Sequence, residues 1–309
     1  MPPKSRHVKH ELAALLGQLV PPDGIALTRC DTADKWNLHR KEQPVASRSQ
    51  NFSAEEDDRS FITALARGLD VLSAFKRGEE FLGNTEIAER CGLPKSTVSR
   101  LTHTLTRRGY LTYSEAHGKY RHGPALMGLA SVVLGGLNIR ELARERLQDL
   151  ASFANASAGL GVRDRLSMRY VECCHGRATI LLNVEIGTRM SLSRSAMGRA
   201  YLAVCDSRER DELMDEIRAI DESAWPRLRA GIEKGLRDYE EYGCATAFGD
   251  WQEKVSGIAV GFHPGGGLPP MVLNCGAPTV MTPPDFLLSA VRPRLIDIAR
   301  SLTGRVDGR

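Results

Sequence analysis

The chain has 309 residues, a formal net charge of +4 and 42% hydrophobic residues, a composition typical of a globular protein with one large domain or two ordinary ones. The N-terminus lacks a continuous apolar segment, and the longest apolar stretch, residues 124–137, is too short to cross a bilayer comfortably. Seven cysteines without C-x-x-C spacing argue against a disulfide framework. We therefore expect a cytoplasmic protein with no membrane partner, no metal and no cofactor.

Residues 1–58 form the first predicted segment. It is basic and proline-bearing at its start, and it is polar with few apolar residues over His39–Asp58. Such a composition buries too little apolar surface to fold, so we expect a disordered N-terminal extension. The sequence HELAA at His10–Ala14 begins like a zinc-protease motif, but Ala14 stands where the second histidine is required.

Residues 59–122 have the pattern of a winged helix-turn-helix domain. One amphipathic helix follows Phe61, a second is predicted over about Asn84–Cys91 with Asn84 as its N-cap, and a third begins at Pro94. The residues on either side of Gly118 alternate in polarity, which predicts a short hairpin. Helix, helix, glycine-bearing turn, helix and hairpin is the element order of a winged helix-turn-helix.

The charges of this segment favour a polyanionic partner. From Arg59 to His122 there are eleven cations against six acids, and the run from Cys91 to Ser114 contains no acid. At 100° per residue, the third helix has an apolar side around Val98 and an opposite side of hydroxyls, arginine and histidine. The alternative is a basic surface helix without a ligand. We predict that double-stranded DNA is contacted by Lys95, Ser96, Thr97, Ser99, Arg100, His103 and Arg107, with Lys119 and Arg121 of the hairpin on the backbone.

The second half of the chain predicts a linker and an α+β domain. Residues 123–138 form a helix that is apolar on most sides and must be buried by a partner, so we predict a dimerisation helix there. Residues 139–304 mix strands and helices. GLGVRDRLSMRYVECCHG and ATILLNVEIG are predicted strands, a hairpin through Gly265–Gly267 joins two late strands, and a last helix starts at Pro283. This order predicts a largely antiparallel sheet.

The sequence resembles the IclR family of bacterial transcription regulators over about Ser60 to Leu302. The most specific segments are ALARGLDVLSAF, NTEIAERCGLPKSTVSRLTHTLTRRGYL and GTRMSLSRSAMGRAYLA. The resemblance implies a winged-helix reader, a dimerising linker helix and a GAF-like effector-binding domain with a six-stranded sheet. It also implies homodimers that often pair into tetramers, and a small organic-acid or aromatic ligand.

The effector site is predicted between the sheet and the loop Gly187–Gly198. A helix starting near Ser195 leaves backbone N–H groups free for an anionic group. Alternation along MVLNC puts Leu273 and Cys275 on one face and Asn274 on the other, and we predict that the first two line the pocket. Mostly apolar walls would suit an aromatic or medium-chain carboxylic acid. The predicted effector-binding residues are Met190, Ser195, Ala196, Met197, Ala247, Gly257, Leu273 and Cys275.

Two other functions remain open at this point. An enzyme would need a catalytic motif, and the G-x-S-x-G, phosphate-loop and complete H-E-x-x-H patterns are all absent. Cys275 with His263 could form a nucleophile and base, and the Cys173–His175 sequence CCH a metal or redox site, although buried strand thiols are favoured there. The other alternative is an architectural DNA binder that ignores every small molecule.

Overall fold

The computed structural model describes residues 61–76, 78–135, 138–177, 182 and 184–305. The disordered extension predicted for residues 1–58 lies outside the described residues. A winged-helix unit and an α+β unit follow each other along the chain.

The winged-helix unit consists of three helices and a hairpin. The helices are α1 (Thr63–Ser73), α2 (Asn84–Cys91) and α3 (Lys95–Arg107), and the antiparallel hairpin pairs β1 (Leu111–Ser114) with β2 (Lys119–His122). Buried apolar side chains from every helix and from β1 form its core: Val71, Leu82, Ile87, Ala88, Val98 and Leu111.

Two helix starts differ from the sequence prediction. Asn84 is the first helical residue rather than the cap, because Gly83 caps α2 and its N–H donates to the Glu86 carboxylate at 2.8 Å. Pro94 takes an extended conformation as N-cap of α3, so that helix starts at Lys95. Gly92 adopts the left-handed conformation, with φ 64°, and ends α2.

Two helices join the winged helix to the sheet. Helix α4 spans Ala125–Gly135, and α5 spans Asn138–Ala154. The apolar side of α5 is buried against the sheet, whereas most of the side chains of α4 are exposed. Helix α4 therefore has the composition of a buried helix, but the part of the chain that the structure describes does not bury it.

The second unit is a six-stranded antiparallel sheet between two helix layers, with strand order β5-β4-β3-β8-β7-β6. The strands are β3 (Ser157–Asp164), β4 (Ser167–His175), β5 (Arg189–Ser191), β6 (Ala245–Phe248), β7 (Val255–Phe262) and β8 (Met271–Pro278). The helices are α6 (Ala196–Val204), α7 (Ser207–Ile220), α8 (Trp225–Tyr242) and α9 (Arg292–Leu302), the last preceded by helical turns over Pro284–Phe286 and Leu287–Val291.

Each face of this sheet is covered. Helices α5 and α9 pack on one face with the larger apolar core, and α6 and α8 pack on the other. The predicted strand ATILLNVEIG falls partly on residues outside the described ones, and its described residues from Val184 to Gly187 form no strand. The strand in this region is β5, inside the segment predicted as a loop.

Candidate DNA-binding and effector-binding sites

Helix α3 presents an exposed polar side and a buried apolar side. Val98 and Thr102 are fully buried, and the Thr102 hydroxyl donates to the backbone oxygen of Val98 at 2.9 Å. The same hydroxyl lies 3.3 Å from the side-chain oxygen of Asn84 on α2, which fixes the rotation of α3 about its axis. Thr97 is half-buried on the flank, and the exposed side carries Lys95, Ser96, Ser99, Arg100, His103 and Arg107.

This exposed side is suited to nucleic-acid contact. Its guanidinium and hydroxyl groups can hydrogen-bond to base edges and phosphates, and no carboxylate lies on it to repel a phosphate. The geometry thus brings together the seven residues predicted on this helix.

The two predicted wing cations have acidic partners within the unit. The ammonium of Lys119 lies 3.0 Å from the Glu86 carboxylate, and the guanidinium of Arg121 lies 3.6 Å from Glu80. The Gly83 N–H and the Lys119 ammonium lower the pKa of Glu86 below its ordinary value. A count of charges along the sequence could not show these pairs, because it does not indicate which acids the hairpin approaches in the fold.

The start of α6 has the geometry of an anion site. The Ser195 hydroxyl accepts from the Gly198 N–H at 3.0 Å and donates to the Ser191 carbonyl at 2.6 Å. As first and second residues of the helix, Ala196 and Met197 have N–H groups without an acceptor inside it. Both residues are buried, so these donors need a partner from elsewhere.

Leu273 and Cys275 are not on the same side of the sheet as the other predicted effector residues. Both pack in the core against α5 and α9, and burial raises the pKa of the Cys275 thiol to about 12. Met190 and Ala247 lie on the opposite face, with Ala196 and Met197. The predicted common wall was therefore wrong for Leu273 and Cys275. Alternation along the strand correctly put Leu273 and Cys275 on the same face. Because helices cover both faces of the sheet, alternation cannot show which of the two faces lies under the effector loop.

Asn274, which sequence reasoning had left out, faces the α6 side. Its amide nitrogen donates to the Tyr170 hydroxyl at 2.8 Å. Its amide oxygen is buried and has no hydrogen-bond partner among the described residues. Burial raises the pKa of Tyr170 far above its ordinary value, so the phenol stays neutral. The sequence offered one signal for Asn274: it is a polar residue between apolar neighbours in a predicted strand.

Small residues form a row across the sheet beside Asn274. In register, Ser157 pairs with Gly276, Gly276 with Gly257, and Gly257 with Ala247. A methyl group on Gly257 would meet only main-chain atoms, the nearer at 3.5 Å, and this glycine is only half-buried although its strand is internal. No side chain therefore packs directly on Gly257 on this face of the sheet.

One buried and one half-buried arginine connect this region. Arg199 on α6 donates to the Thr246 carbonyl at 2.9 Å and pairs with the Asp250 carboxylate at 3.1 Å, although it is 2% exposed. Arg194 donates to the carbonyl oxygens of Asp250 and Trp251. The turn after β6 is thus fixed to the start of α6.

Two further properties of the described residues concern helix length and clusters of metal-ligand side chains. No single helix among them has the length and apolar composition to cross a bilayer, and only the bent pair α4 and α5 meets that test together. Within the same residues no group of three His, Cys, Asp or Glu side chains could hold a metal ion.

Comparison with known proteins gives matches to both halves of the chain. The model of the IclR helix-turn-helix domain matches residues 64–115, and that of the bacterial transcriptional regulator IclR C-terminal matches residues 131–263. The HTH-type transcriptional regulator TsaQ1/TsaQ2 of Comamonas testosteroni is 32% identical over 250 residues, 80% of this chain and 90% of that protein. XynR of Escherichia coli K12 is 29% identical over 154 residues, 50% of this chain and 61% of its own length.

Solved structures share the fold. The crystal structure of an IclR family transcriptional regulator from Brucella abortus has 40% sequence identity and a TM-score of 0.72, over 81% of this chain and 95% of that one. An IclR homologue from Microbacterium hydrocarbonoxydans, complexed with 4-hydroxybenzoate, has 20% identity and a TM-score of 0.64, over 80% of this chain and all of that one.

Proposed function

Because the chain belongs to the IclR family of bacterial transcription regulators, we propose that it binds a roughly palindromic DNA duplex as a dimer and that a small organic acid modulates this binding. Its relatives are named transcription regulators, so the chain is a regulator with a helix-turn-helix and an effector domain rather than an enzyme. We assign residues 59–122 to DNA binding, 123–138 to the dimerising linker and 139–304 to effector binding, in the cytoplasm.

The acid-free exposed side of α3 carries the DNA proposal. Arg100 and His103 lie at its centre, and Ser96 and Lys95 lie at the helix start, where free N–H groups favour phosphates. A two-fold dimer would place one α3 in each of two successive major grooves, which requires a roughly palindromic site. The pairing of Lys119 with Glu86 means that a wing contact to phosphate would have to compete with that carboxylate.

The DNA proposal is tested by footprinting and by fluorescence anisotropy with an operator fragment. Arg100→Ala should lose about 1–3 kcal/mol of specific affinity while retaining its non-specific binding. Arg227→Ala removes the same charge from an exposed site on α8 and serves as the matched control. An unchanged footprint for Arg100→Ala would count against α3 as the reading helix.

We place the effector above the row Ser157–Gly276–Gly257, between β8 and the start of α6. Its anionic group would accept from the N–H groups of Ala196 and Met197, and a hydrogen-bond donor on its body would reach the unpaired oxygen of Asn274. Met190 and Ala247 supply apolar wall. The 4-hydroxybenzoate bound by the Microbacterium homologue has an anionic end, an apolar ring and a hydroxyl donor, which supports a hydroxylated aromatic acid here.

Calorimetry tests this site with benzoate, 4-hydroxybenzoate and medium-chain aliphatic acids. We expect the hydroxylated aromatic acid to bind more tightly than benzoate and Ala196→Trp to abolish its binding by filling the space. Equal affinity of wild type and Ala196→Trp for the same acid would place the effector elsewhere. A ligand that binds without changing operator affinity would favour the architectural alternative.

A further inference from the structure

A cysteine, a histidine and a serine lie together at one end of this row of small residues. Cys173 and His175 are two residues apart on β4, so their side chains lie on the same face. Ser157, on the neighbouring strand β3, pairs with His175. Cys173 and His175 are both half-buried, and Cys173 packs against the core of the α6 side. Both side chains therefore keep part of their surface exposed.

Ser157 hydrogen-bonds to the Nδ1 side of the His175 ring. The Ser157 hydroxyl oxygen lies 3.0 Å from Nδ1 of His175 and 3.5 Å from the Leu182 carbonyl oxygen. When the hydroxyl hydrogen points to the carbonyl oxygen, which only accepts, Ser157 accepts from Nδ1–H. In this tautomer the ring proton is on Nδ1 and the lone pair is on Nε2.

That lone pair faces the thiol. Nε2 of His175 lies 3.7 Å from Sγ of Cys173, and the Val184 carbonyl oxygen lies 3.4 Å from the same sulfur. Of these two acceptors, only the imidazole can remove the thiol proton. The thiolate is the nucleophilic form of cysteine, so this arrangement resembles the paired base and nucleophile of thiol chemistry.

The neighbouring Cys174 lacks these features. Its side chain lies on the opposite face of β4, where its sulfur contacts the Arg144 carbonyl at 3.6 Å. Burial, with the nearby Glu172 carboxylate, raises the pKa of the Cys174 thiol. No cysteine in the described part of the chain forms a disulfide. Cys174 therefore lies on the wrong face of β4 to form a disulfide with Cys173.

We propose that Cys173, His175 and Ser157 form a reactive thiol site that takes a soft carbon electrophile, of the class of α,β-unsaturated carbonyl compounds. His175 Nε2 takes the thiol proton, and Sγ forms a bond to the β-carbon of the electrophile. The electron pair of the carbon–carbon double bond moves to the α-carbon, which receives the proton from His175. The product is a thioether, the imidazole returns to its neutral form, and no redox partner is needed. This site is separate from the anion-binding amides of the proposed effector site.

The test measures alkylation of the full-length protein by N-ethylmaleimide, an electrophile of this class, with peptide mass spectrometry to follow each cysteine. Cys91 is half-buried like Cys173 and provides the internal reference. We expect Cys173 to react about tenfold or more faster than Cys91, because a positioned base accelerates proton transfer at least this much. Cys174→Ser should leave the rate unchanged, and Cys173→Ser should remove the fast site.

His175→Gln tests the role of the base, since glutamine can still hydrogen-bond to Ser157 but cannot take the proton. The Cys173 rate should fall about tenfold, toward that of Cys91. If this variant does not fold, Ser157→Ala replaces it, and a several-fold slower reaction is expected because the imidazole proton is no longer held on Nδ1. Equal rates for Cys173 and Cys91 in the wild type, or an unchanged rate in the folded variant, would overturn the proposal.

Discussion

Asn274 has two polar atoms in unequal surroundings. Its nitrogen donates to the Tyr170 hydroxyl, whereas its buried oxygen has no partner within the described residues. A typical hydrogen bond contributes about 1 kcal/mol net, but a buried group left unpaired costs about 1–3 kcal/mol. An oxygen without a partner would therefore cost at least as much as the bond to Tyr170 contributes, and a hydrogen-bond donor on the proposed effector would offset that cost.

A double-mutant cycle at this pair tests the balance. Tyr170→Phe leaves the Asn274 amide without its acceptor and should lower the free energy of unfolding by about 1–3 kcal/mol. Adding Asn274→Leu removes both polar groups, so most of this loss should be recovered. Urea unfolding of the ligand-free proteins measures it. A double variant less stable than Tyr170→Phe would mean that the Asn274 oxygen is already satisfied.

Glu79 gives the winged-helix unit an acid-sensitive contact. The Arg90 side chain hydrogen-bonds its carboxylate at 2.9 Å and lowers its pKa from 4.5 to about 2. The same guanidinium donates to the Ala74 carbonyl at the end of α1, so it links α1 to α2. A lowered carboxyl pKa adds stability above the ordinary pKa, and that stability is lost as the pH falls toward 2.

We therefore expect the free energy of unfolding of the winged-helix unit to fall more between pH 5 and pH 3 in the wild type than in Glu79→Gln. Urea unfolding at the two pH values measures it. These pH values bracket the ordinary carboxyl pKa of 4.5. Glu80→Gln, which removes the exposed partner of Arg121, is the matched control. Parallel pH profiles for wild type and Glu79→Gln would show that the Arg90 pair does not contribute to stability.

At the scale of elements, a buried arginine lies between α6 and α8. The side chain of Arg199, on α6, packs against Gly231 and Gly235 of α8. A Cβ atom on Gly235 would lie 2.6 Å from Cδ of Arg199, and one on Gly231 would lie 2.5 Å from its terminal nitrogen. The glycines cost helix stability, yet they allow the guanidinium to reach Thr246 and Asp250.

Gly235→Ala tests which effect is larger. Replacing a mid-helix glycine normally gains about 0.5–1 kcal/mol, whereas overpacking a filled site costs about 1–3 kcal/mol. We expect net destabilisation of about 1–2 kcal/mol. Gly68→Ala on α1, whose new methyl would touch only Leu101 at 4.0 Å, should be neutral or stabilising. Both are measured by urea unfolding, and a Gly235→Ala protein more stable than wild type would contradict this packing.

The elements that could be predicted from the sequence are those with one side in contact with water. The spacing of Val98 and its neighbours indicated the buried side of α3, because water covers the other side. The hairpin around Gly118 and the antiparallel pairing of β7 with β8 were predictable from turn residues. The family domains confirm this interpretation of both halves.

The remaining features depend on contacts distant in sequence. All eight residues of β8 are buried, so alternation cannot tell the face under α5 and α9 from the face under α6. The Tyr170–Asn274 bond joins residues 104 positions apart, and the Lys119–Glu86 pair depends on where the hairpin lies. The sequence likewise could not show that Arg199 is buried, because the Thr246 carbonyl and the Asp250 carboxylate that it contacts are distant in sequence.

Across the whole molecule, exposed apolar side chains concentrate on two helices. On α4 the exposed fractions are 76% for Met127, 76% for Val132 and 64% for Val133, and α1 and the residue before it expose Ile62, Leu65 and Leu69. Monomeric proteins seldom expose contiguous apolar patches of this kind, which favours a second copy of the chain as the covering surface. A symmetric pair would also set the spacing of the two α3 helices on DNA.

Val133→Glu should therefore weaken the dimer. A carboxylate in a closed apolar seam would be buried without a partner, which costs several kcal/mol for each copy and is doubled by the two-fold symmetry. We expect sedimentation to show monomers and operator binding to weaken strongly, because each monomer holds a single half-site. Val280→Glu makes the same change at a valine that is 86% exposed outside these two helices, and it should leave the assembly unchanged. A fully dimeric Val133→Glu protein with normal operator affinity would exclude α4 from the interface, and dissociation of both variants would point to a general effect of added charge.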